Sequence, residues 1–373
     1  MRVLMLSRSD AHSVLGGDTV QMLNTKTSLE KLGVQVQLGS IQDRLPRDGF
    51  DLVHVFNWEQ MVQFLATQEP EPRRTPPLVL SPIFWFHTGH WFDEAVTSRW
   101  GWKFIAKGLG TARSRLLYEA WQQAKFRWGE SGRKLGQCLS VPARLLPNSV
   151  TEVIHLESVL GLKGKLQPRC TIVPNSVARE LYDPLPSPNQ AFLKEYGLEG
   201  FVIQVARIQA AKNQLGLIEA LFDLPIPLVF VGQPSPYESD YVQRCYELAQ
   251  QRGNVYFLGP MSAAELAGLY VLAAVHVLPS WRETPGLVSL EAAAAGCRVV
   301  STAIGSAREY FRDEAWYCDP RDSNSIRQAV LSALNTPPSK KLRERVLECY
   351  TWDIAAKTTL EAYHLALDDN DVE

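Results

Sequence analysis

The chain has 373 residues, of which 46% are hydrophobic and 21% are charged, and its formal net charge is −2. This length exceeds what one hydrophobic core usually holds, so two domains are expected, and the near-neutral charge excludes a general attraction to nucleic acid. The six cysteines form no CxxC pair, which predicts a reduced, cytoplasmic protein without a zinc site. Residues 1–6 indicate a strand rather than a signal peptide, and no apolar run reaches the roughly 18 residues of a membrane-spanning helix.

The first half of the chain alternates short apolar runs with helical patterns, which is typical of parallel α/β architecture. Gly16 and Gly17 lie in the loop after the first predicted strand, where Asp18 or Thr19 can cap a helix that runs to about Leu32. The predicted strands are 3–6, 34–38, 52–56 and 78–80, and residues 137–148 and 170–173 are expected to complete this half.

The second half repeats the same alternation after a proline-rich connection at 173–188. A final helix is predicted over 353–367. Two successive doubly wound halves place the carboxyl ends of their strands around a cleft, which is where such folds bind ligands. The predicted strands of this half are 201–205, 228–231, 255–258, 275–278 and 299–301.

Residues 275–296 carry the most informative pattern in the chain. An apolar strand is followed by Glu283, a turn at Gly286, and a small-residue helix that carries Glu291. A helix start offers free N–H groups and a positive dipole end to an anion, and carboxylates at its edges suit hydroxyl groups. The pattern therefore predicts a sugar-nucleotide site, and two solvated carboxylates near a helix start are the alternative interpretation.

Two cations follow the first strand of the second half. Arg207 comes directly after that strand, and Lys212 precedes the next predicted helix. A guanidinium can bind a phosphate through two hydrogen bonds and a lysine can act as a point charge, so both residues are candidates for phosphate binding. Two exposed surface cations are the alternative. Gly259 ends another strand, where backbone amides can meet a nucleotide base or simply form a turn.

Gly16 and Gly17 do not form the GxGxxG pattern of dinucleotide-binding proteins. They permit close approach to a ligand, or they form a plain tight turn.

In this order along the chain, the motifs resemble the retaining GT-B glycosyltransferases, and specifically glycosyltransferase family 4. The second half matches closely, whereas the first half matches only at its start and its end. The matching motifs are Gly16-Gly17, Val173-Pro174-Asn175-Ser176, Arg207 with Lys212, Phe257-Leu258-Gly259, the block of Pro279-Ser280, Glu283, Gly286-Leu287, Glu291-Ala292 and Gly296, and Thr351-Trp352.

The resemblance implies a GT-B fold, in which two Rossmann-like doubly wound parallel-sheet domains face each other across a cleft. Residues 1–180 would form the acceptor-side domain, with the C-terminal helix 353–373 packed back on it. Residues 181–352 would form the domain that binds the nucleotide-sugar donor.

The resemblance also implies roles for the site residues. Arg207 and Lys212 would bind the donor diphosphate and stabilise the leaving group, Glu283 would hold the transferred sugar, and Glu291 would bind the ribose hydroxyls. No metal and no other cofactor is expected, because fixed cations and helix amides stabilise the departing phosphate. Further donor contacts are implied for Gly16, Gly17, Gly259 and the backbone amides of Gly286, Leu287 and Val288.

Two features depart from the family pattern. The family often has Phe-Gly before the leucine, where this chain has Thr284-Pro285-Gly286. The glycine is kept, so a local change in sugar contacts is expected. Many members also carry a catalytic histidine after the fourth strand of the first domain. His87 and His90 are both candidates here, with His87 taken as the catalytic one, and either residue can instead be an ordinary polar residue of an aromatic loop.

Residues 99–134 form a basic segment with nine cations, two acids and four tryptophans. Basic residues mixed with tryptophans suit a membrane interface that carries anionic lipid. A lipid-diphosphate acceptor and an acidic glycan are also compatible with this composition. A helical segment whose aromatics pack on the core and whose cations are solvated is the remaining interpretation.

The sequence thus predicts an enzyme that moves a sugar from a nucleoside-diphosphate sugar to a glycan or lipid-linked acceptor with retention of configuration. Surface polysaccharide or glycolipid synthesis is the expected setting, in the cytoplasm or peripherally on the inner face of the membrane. A non-catalytic two-domain sugar or nucleotide binder is one alternative, and a GT-B sugar-nucleotide hydrolase or epimerase is another.

Overall fold

The computed structural model of the chain describes residues 1–8, 16–42, 49–67, 76–86, 92 and 100–370. The chain divides into two compact units, one formed by Met1–Asn175 with Trp352–Glu373 and the other by Ser176–Thr351. The boundary expected at residue 180 lies close to this division.

The first unit contains a five-stranded parallel sheet with the order β2-β1-β3-β4-β5. Its central strand β3 is buried at every position, because helices cover both faces of a parallel sheet, and its sequence is apolar apart from His54. The strands are β1 (Arg2–Ser7), β2 (Gln35–Ser40), β3 (Leu52–Phe56), β4 (Leu78–Ser81) and β5 (Arg144–Leu145).

Seven helices of the first unit lie within the described residues, and the last of them returns from the C-terminal end of the chain. This helix, α15, packs against α1, β4 and β5. The helices are α1 (Gly17–Lys31), α2 (Trp58–Thr67), α3 (Trp100–Leu109), α4 (Thr111–Trp128), α5 (Glu130–Ser140), α6 (Val150–Leu160) and α15 (Trp352–Asn370).

Residues 137–148 and 170–173 lie in the first unit, as expected, and contribute a helix end and a short strand to it. Residues 137–140 belong to α5, which buries Leu135, Cys138 and Leu139 at helical spacing, and only two residues form β5. Cys170 makes a single bridge to Leu145 instead of forming a strand.

The second unit contains a six-stranded parallel sheet with the order β11-β10-β9-β6-β7-β8. The strands are β6 (Val202–Val205), β7 (Leu228–Val231), β8 (Val255–Leu258), β9 (Val275–Leu278), β10 (Arg298–Thr302) and β11 (Trp316–Cys318). The helices are α7 (Gln190–Tyr196), α8 (Gln214–Ala220), α9 (Ser239–Arg252), α10 (Ala263–Leu272), α11 (Leu287–Ala294), α12 (Ala307–Phe311), α13 (Ser323–Asn335) and α14 (Lys341–Cys349).

These two parallel α/β units confirm the predicted fold class. Because all strands of a parallel sheet point the same way, the loops that follow β6, β7, β9 and β10 emerge at one edge of the second sheet. The loops that follow β6, β8 and β9 carry residues that the sequence singled out. Within the described part of the chain, no helix combines the length and apolarity needed to cross a membrane.

Candidate functional site

A buried ion pair lies at the carboxyl edge of the second sheet. Lys212 ends a short 3-10 helix (Ala210–Lys212) after β6, and its Nζ donates a hydrogen bond of 2.6 Å to Oε1 of Glu283. The Glu283 side chain is only 7% exposed, whereas that of Lys212 is 27% exposed. Gln204 fixes the lysine segment by donating from Nε2 to the Lys212 carbonyl at 2.7 Å. The structure thus brings together two residues that the sequence treated as separate motifs.

The backbone of Glu283 is held by the loop after β10. Its N–H donates to the Ile304 carbonyl at 3.1 Å, and its own carbonyl accepts from the Ser306 N–H at 3.0 Å. Gly305 lies between these two bonds with φ +125°, and a Cβ at this position would lie 1.8 Å from the Glu283 carbonyl oxygen. Only glycine fits there. Sequence reasoning missed Gly305, although a glycine soon after a strand end was an available signal.

Gly286 caps the start of α11 with φ +90°, a left-handed conformation that favours glycine. A Cβ at Gly286 would lie 3.1 Å from Oε2 of Glu283, so the carboxylate lies directly against the helix start. Within the described residues, the N–H groups of Leu287 and Val288 have no acceptor, as expected in the first turn of a helix. The site therefore combines a cation, a carboxylate and free backbone donors.

Glu291 lies one turn further along α11 and is half-buried. Burial raises the pKa of its carboxyl to about 7. The carboxyl has no hydrogen-bond donor among the described residues. The pKa values of Tyr182 and Tyr270 are raised by burial and, to a smaller extent, by the nearby Glu291 carboxylate. A carboxylate without donors of its own is chemically suited to accept hydrogen bonds from the hydroxyl groups of a ligand.

Beneath α11, a buried histidine ties the helix to the sheet. Nε2 of His276 on β9 lies 3.1 Å from Oγ of Ser289 on α11. Burial lowers the pKa of His276 to about 3, so the ring is neutral. This pair fixes the start of α11, and sequence reasoning did not identify it because both residues lie within apolar runs.

Arg207 is half-buried at the end of β6, and its guanidinium makes no hydrogen bond or ion pair within the described part of the chain. Gly232 follows β7 with φ +143°, and a Cβ there would lie 2.3 Å from the Ala206 carbonyl oxygen. The N–H of Gly232 donates to the Leu258 carbonyl at 3.0 Å, directly before the exposed Gly259. These contacts bring the ends of β6, β7 and β8 close together, and Gly232 is another residue that the sequence reasoning missed.

In the first unit, Gly16 is the N-cap of α1 and Gly17 is its first residue. The prediction of Asp18 or Thr19 as the cap is therefore wrong, because the helix begins earlier and has no side-chain cap. His87 and His90 lie outside the described residues. Within the described ranges, no three His, Cys, Asp or Glu residues come together in a way that could hold a metal ion.

Comparison with known proteins identifies the second unit. Residues 189–348 match the family model described as glycosyl transferases group 1. A D-inositol 3-phosphate glycosyltransferase from Pseudarthrobacter chlorophenolicus is 25% identical over 96% of this chain and 80% of its own length. The second unit therefore carries a group 1 glycosyl transferase domain, in agreement with the resemblance seen in this half of the sequence.

Solved structures with the same fold support the two-unit architecture. Sucrose-phosphate synthase from Thermosynechococcus elongatus matches with a TM-score of 0.71 and 18% identity, over 97% of this chain and 98% of that one. The Anabaena protein HepE, crystallised with UDP-glucose, matches with a TM-score of 0.64 and 16% identity over the full length of both chains.

Proposed function

We propose that this chain, which carries a group 1 glycosyltransferase domain, transfers a sugar from a nucleoside-diphosphate sugar to a glycan or lipid-linked acceptor. The observation that carries the proposal is the position of the Glu283 carboxylate, which contacts Lys212 on one side and the start of α11 on the other. A site that pairs a cation with free helix amides suits a diphosphate, and the adjacent carboxylate suits the hydroxyls of a sugar.

The same groups account for catalysis of bond cleavage. When the bond between the sugar and the diphosphate breaks, negative charge grows on the departing oxygens. The Lys212 ammonium, the free guanidinium of Arg207 and the N–H groups of Leu287 and Val288 stabilise this charge from fixed positions. As the diphosphate draws Lys212 towards itself, the Glu283 carboxylate becomes free to accept hydrogen bonds from the sugar.

Two further residues of the second unit are proposed to contact the donor. Glu291 accepts hydrogen bonds from the ribose hydroxyls, since it has no donor of its own among the described residues. Gly259 lies at the end of β8, where its exposed backbone contacts the base. The relative with UDP-glucose bound supports a uridine or similar nucleotide as the donor class.

Several parts of the proposal concern finer chemistry. The proposed transfer retains the anomeric configuration and needs no metal, as the resemblance to family 4 implies. Gly16 and Gly17 are proposed as further donor-binding residues, and His87 is proposed as a catalytic residue. The first unit binds the acceptor, and the protein works in the cytoplasm or at the inner face of the membrane.

The test is a screen of nucleoside-diphosphate sugars for release of nucleoside diphosphate, with and without EDTA and with a panel of glycan and lipid acceptors. We expect release from one or a few donors that depends on an acceptor and survives EDTA. Tight donor binding without turnover would instead identify a binding protein. Complete turnover without any acceptor would identify a hydrolase or epimerase.

A further inference from the structure

Helix α4 is anchored to the first unit by one face. Ser114, Tyr118 and Phe126 repeat at the spacing of a single helical face and point towards the protein. The Tyr118 ring lies 4.9 Å from that of Trp102 on α3, and the Phe126 ring lies 6.1 Å from that of Phe84. Helix α3 packs beside α4.

Large apolar side chains of α4 are exposed beside this packed face, and the ring of one of them, Trp121, also lies 5.7 Å from that of Trp102 and 6.0 Å from that of Tyr118. Leu116 is 66% exposed, Leu117 50%, Trp121 41% and Trp128 74%, and Phe104 on α3 is 68% exposed. Leu117, Trp121 and Trp128 lie on one side of the helix, because their spacings are those of successive turns. We call these five residues, together with the exposed cations of the same two helices (Lys103, Lys107, Arg113 and Lys125), the α3–α4 surface. Clustered exposure of this kind marks an interaction surface.

The charges on the α3–α4 surface are almost all positive. Residues 100–128 contain six cations and a single acid, Glu119, and the acid is half-buried. Nζ of Lys125 lies 5.4 Å from the centre of the Trp121 ring, and the Arg127 guanidinium lies 5.0 Å from that of Trp128. The exposed cations of this surface are Lys103, Lys107, Arg113 and Lys125.

This combination identifies the chemistry of the partner. Tryptophan is enriched at the boundary between lipid headgroups and acyl chains, and lysine and arginine can cover apolar surface while their charged ends reach phosphate. A second copy of this chain would bring like charges together, which disfavours self-association through the same surface.

We propose that the α3–α4 surface docks on a bilayer that contains anionic lipid, with both helices lying in the plane of the interface. The apolar side chains enter the headgroup region and the cations bind lipid phosphates. The inference does not rest on the proposed function, because it uses no residue of the candidate site.

Co-sedimentation of the full chain with vesicles tests the proposal. We expect binding to vesicles of phosphatidylcholine with phosphatidylglycerol, much weaker binding to phosphatidylcholine alone, and loss of binding as salt rises from about 0.1 M to about 1 M. Equal binding to both kinds of vesicle, or no binding to the anionic ones, would overturn the proposal.

Two variants locate the contact. Lys103→Ser with Lys107→Ser should weaken binding by about 25-fold, since each basic residue near an anionic surface contributes about fivefold. Leu116→Ser with Trp128→Ser removes two exposed apolar groups and should weaken binding by more than about tenfold. Matched controls are Leu365→Ser on α15, which is 43% exposed, and Tyr237→Ser in the second unit, which is 91% exposed.

The controls should bind as the unaltered chain does. If they lose as much affinity as the variants, or if the variants keep full affinity, the surface is not the docking site. Size-exclusion chromatography separates the remaining alternative, since a dimer that becomes monomeric only in the Leu116→Ser, Trp128→Ser chain would show a contact between copies and contradict the proposal. Both variants change exposed residues alone, and equal melting temperatures verify that they fold.

Discussion

Lys212 and Glu283 lie 71 residues apart in the chain, yet the Nζ of one is 2.6 Å from Oε1 of the other. The ion pair satisfies a carboxylate that would otherwise be buried without a partner, which is costly in a folded protein. The ion pair also neutralises the charge of Lys212, the cation that is proposed to bind the donor diphosphate. The site is therefore held in place by a contact that the proposed donor must share or replace.

Replacing Lys212 by alanine should lower turnover by about 10²–10³-fold, because it removes one fixed donor from the developing charge on the leaving group. It should also destabilise the fold by about 1–3 kcal/mol, because the buried Glu283 carboxylate loses its partner. The double variant Lys212→Ala, Glu283→Gln should regain stability without regaining turnover. Release of nucleoside diphosphate and urea unfolding measure the two effects, and the exposed Lys357→Ala serves as a control.

If turnover recovers together with stability in the double variant, the lysine is structural and takes no part in the chemistry. Unchanged turnover in Lys212→Ala would exclude it from the leaving-group site.

Gly305→Ala should destabilise the second unit by more than about 2 kcal/mol, because the new methyl group would overlap the Glu283 carbonyl and φ is positive. Gly197→Ala is the matched control, since Gly197 also has a positive φ but has open space around its Cβ position. This control should cost about 1–2 kcal/mol from backbone strain alone. Urea unfolding compares the two variants, and equal losses would show that the close contact carries no energetic weight.

The pKa of Glu291 makes stability depend on pH. Its folded pKa of about 7 lies above the ordinary value of 4.5, so the folded chain binds the proton more tightly than the unfolded chain. The stabilisation is complete below the unfolded pKa and is lost as pH rises through about 7. Glu291→Gln should therefore be more stable than the parent near pH 8, by about 1–3 kcal/mol, and similar to it below about pH 4.5.

Urea unfolding across this pH range measures the Glu291 effect, and the exposed Glu344→Gln should show no such difference. A constant difference between Glu291→Gln and the parent at all pH values would contradict the assignment.

Much of the second unit could be predicted from the sequence. The strands at 228–231, 255–258 and 275–278 coincide with the predicted ones, because buried parallel strands give continuous apolar runs between turn residues. The edge strand β11 was not predicted, since three residues carry too little pattern to separate a strand from a loop. In the first unit, the residues 137–148 were assigned to this half without a choice between helix and strand, because a short apolar run such as Cys138-Leu139 fits either.

The sequence identified individual residues of the candidate site but not the contacts between them. Glu283 and Lys212 could be selected because charged residues after strand ends point to a ligand. Their direct bond could not be predicted, because it depends on the loop after β10 and on the close approach at Gly305. The buried pair of His276 and Ser289 was hidden for a related reason, since only the packing of α11 on β9 brings the two residues together.

A similar long-range contact attaches α15 to the first unit and gives the last prediction. Nδ1 of His54 on β3 lies 2.8 Å from the hydroxyl of Tyr363, and Nε2 lies 3.0 Å from Oγ of Ser81. Burial lowers the pKa of His54 to about 3. The folded pKa lies below the ordinary value of 6.5. The stability that the buried, neutral ring contributes is therefore fully present above pH 6.5 and is lost as pH falls from 6.5 towards about 3.

Tyr363→Phe removes the hydroxyl partner and leaves one buried ring nitrogen of His54 without a hydrogen bond. We expect a loss of about 1–3 kcal/mol near pH 7.5, because an unsatisfied buried polar group costs that much. The steep fall in stability below about pH 6.5 should persist, since burial of His54 causes it and the variant leaves the ring buried. Hydrogen exchange of the α15 amides measures the effect locally, with Tyr237→Phe in an exposed loop as the control. If exchange in α15 does not accelerate in Tyr363→Phe, the hydrogen bond to His54 does not hold the helix, and apolar packing against α1 carries the attachment instead.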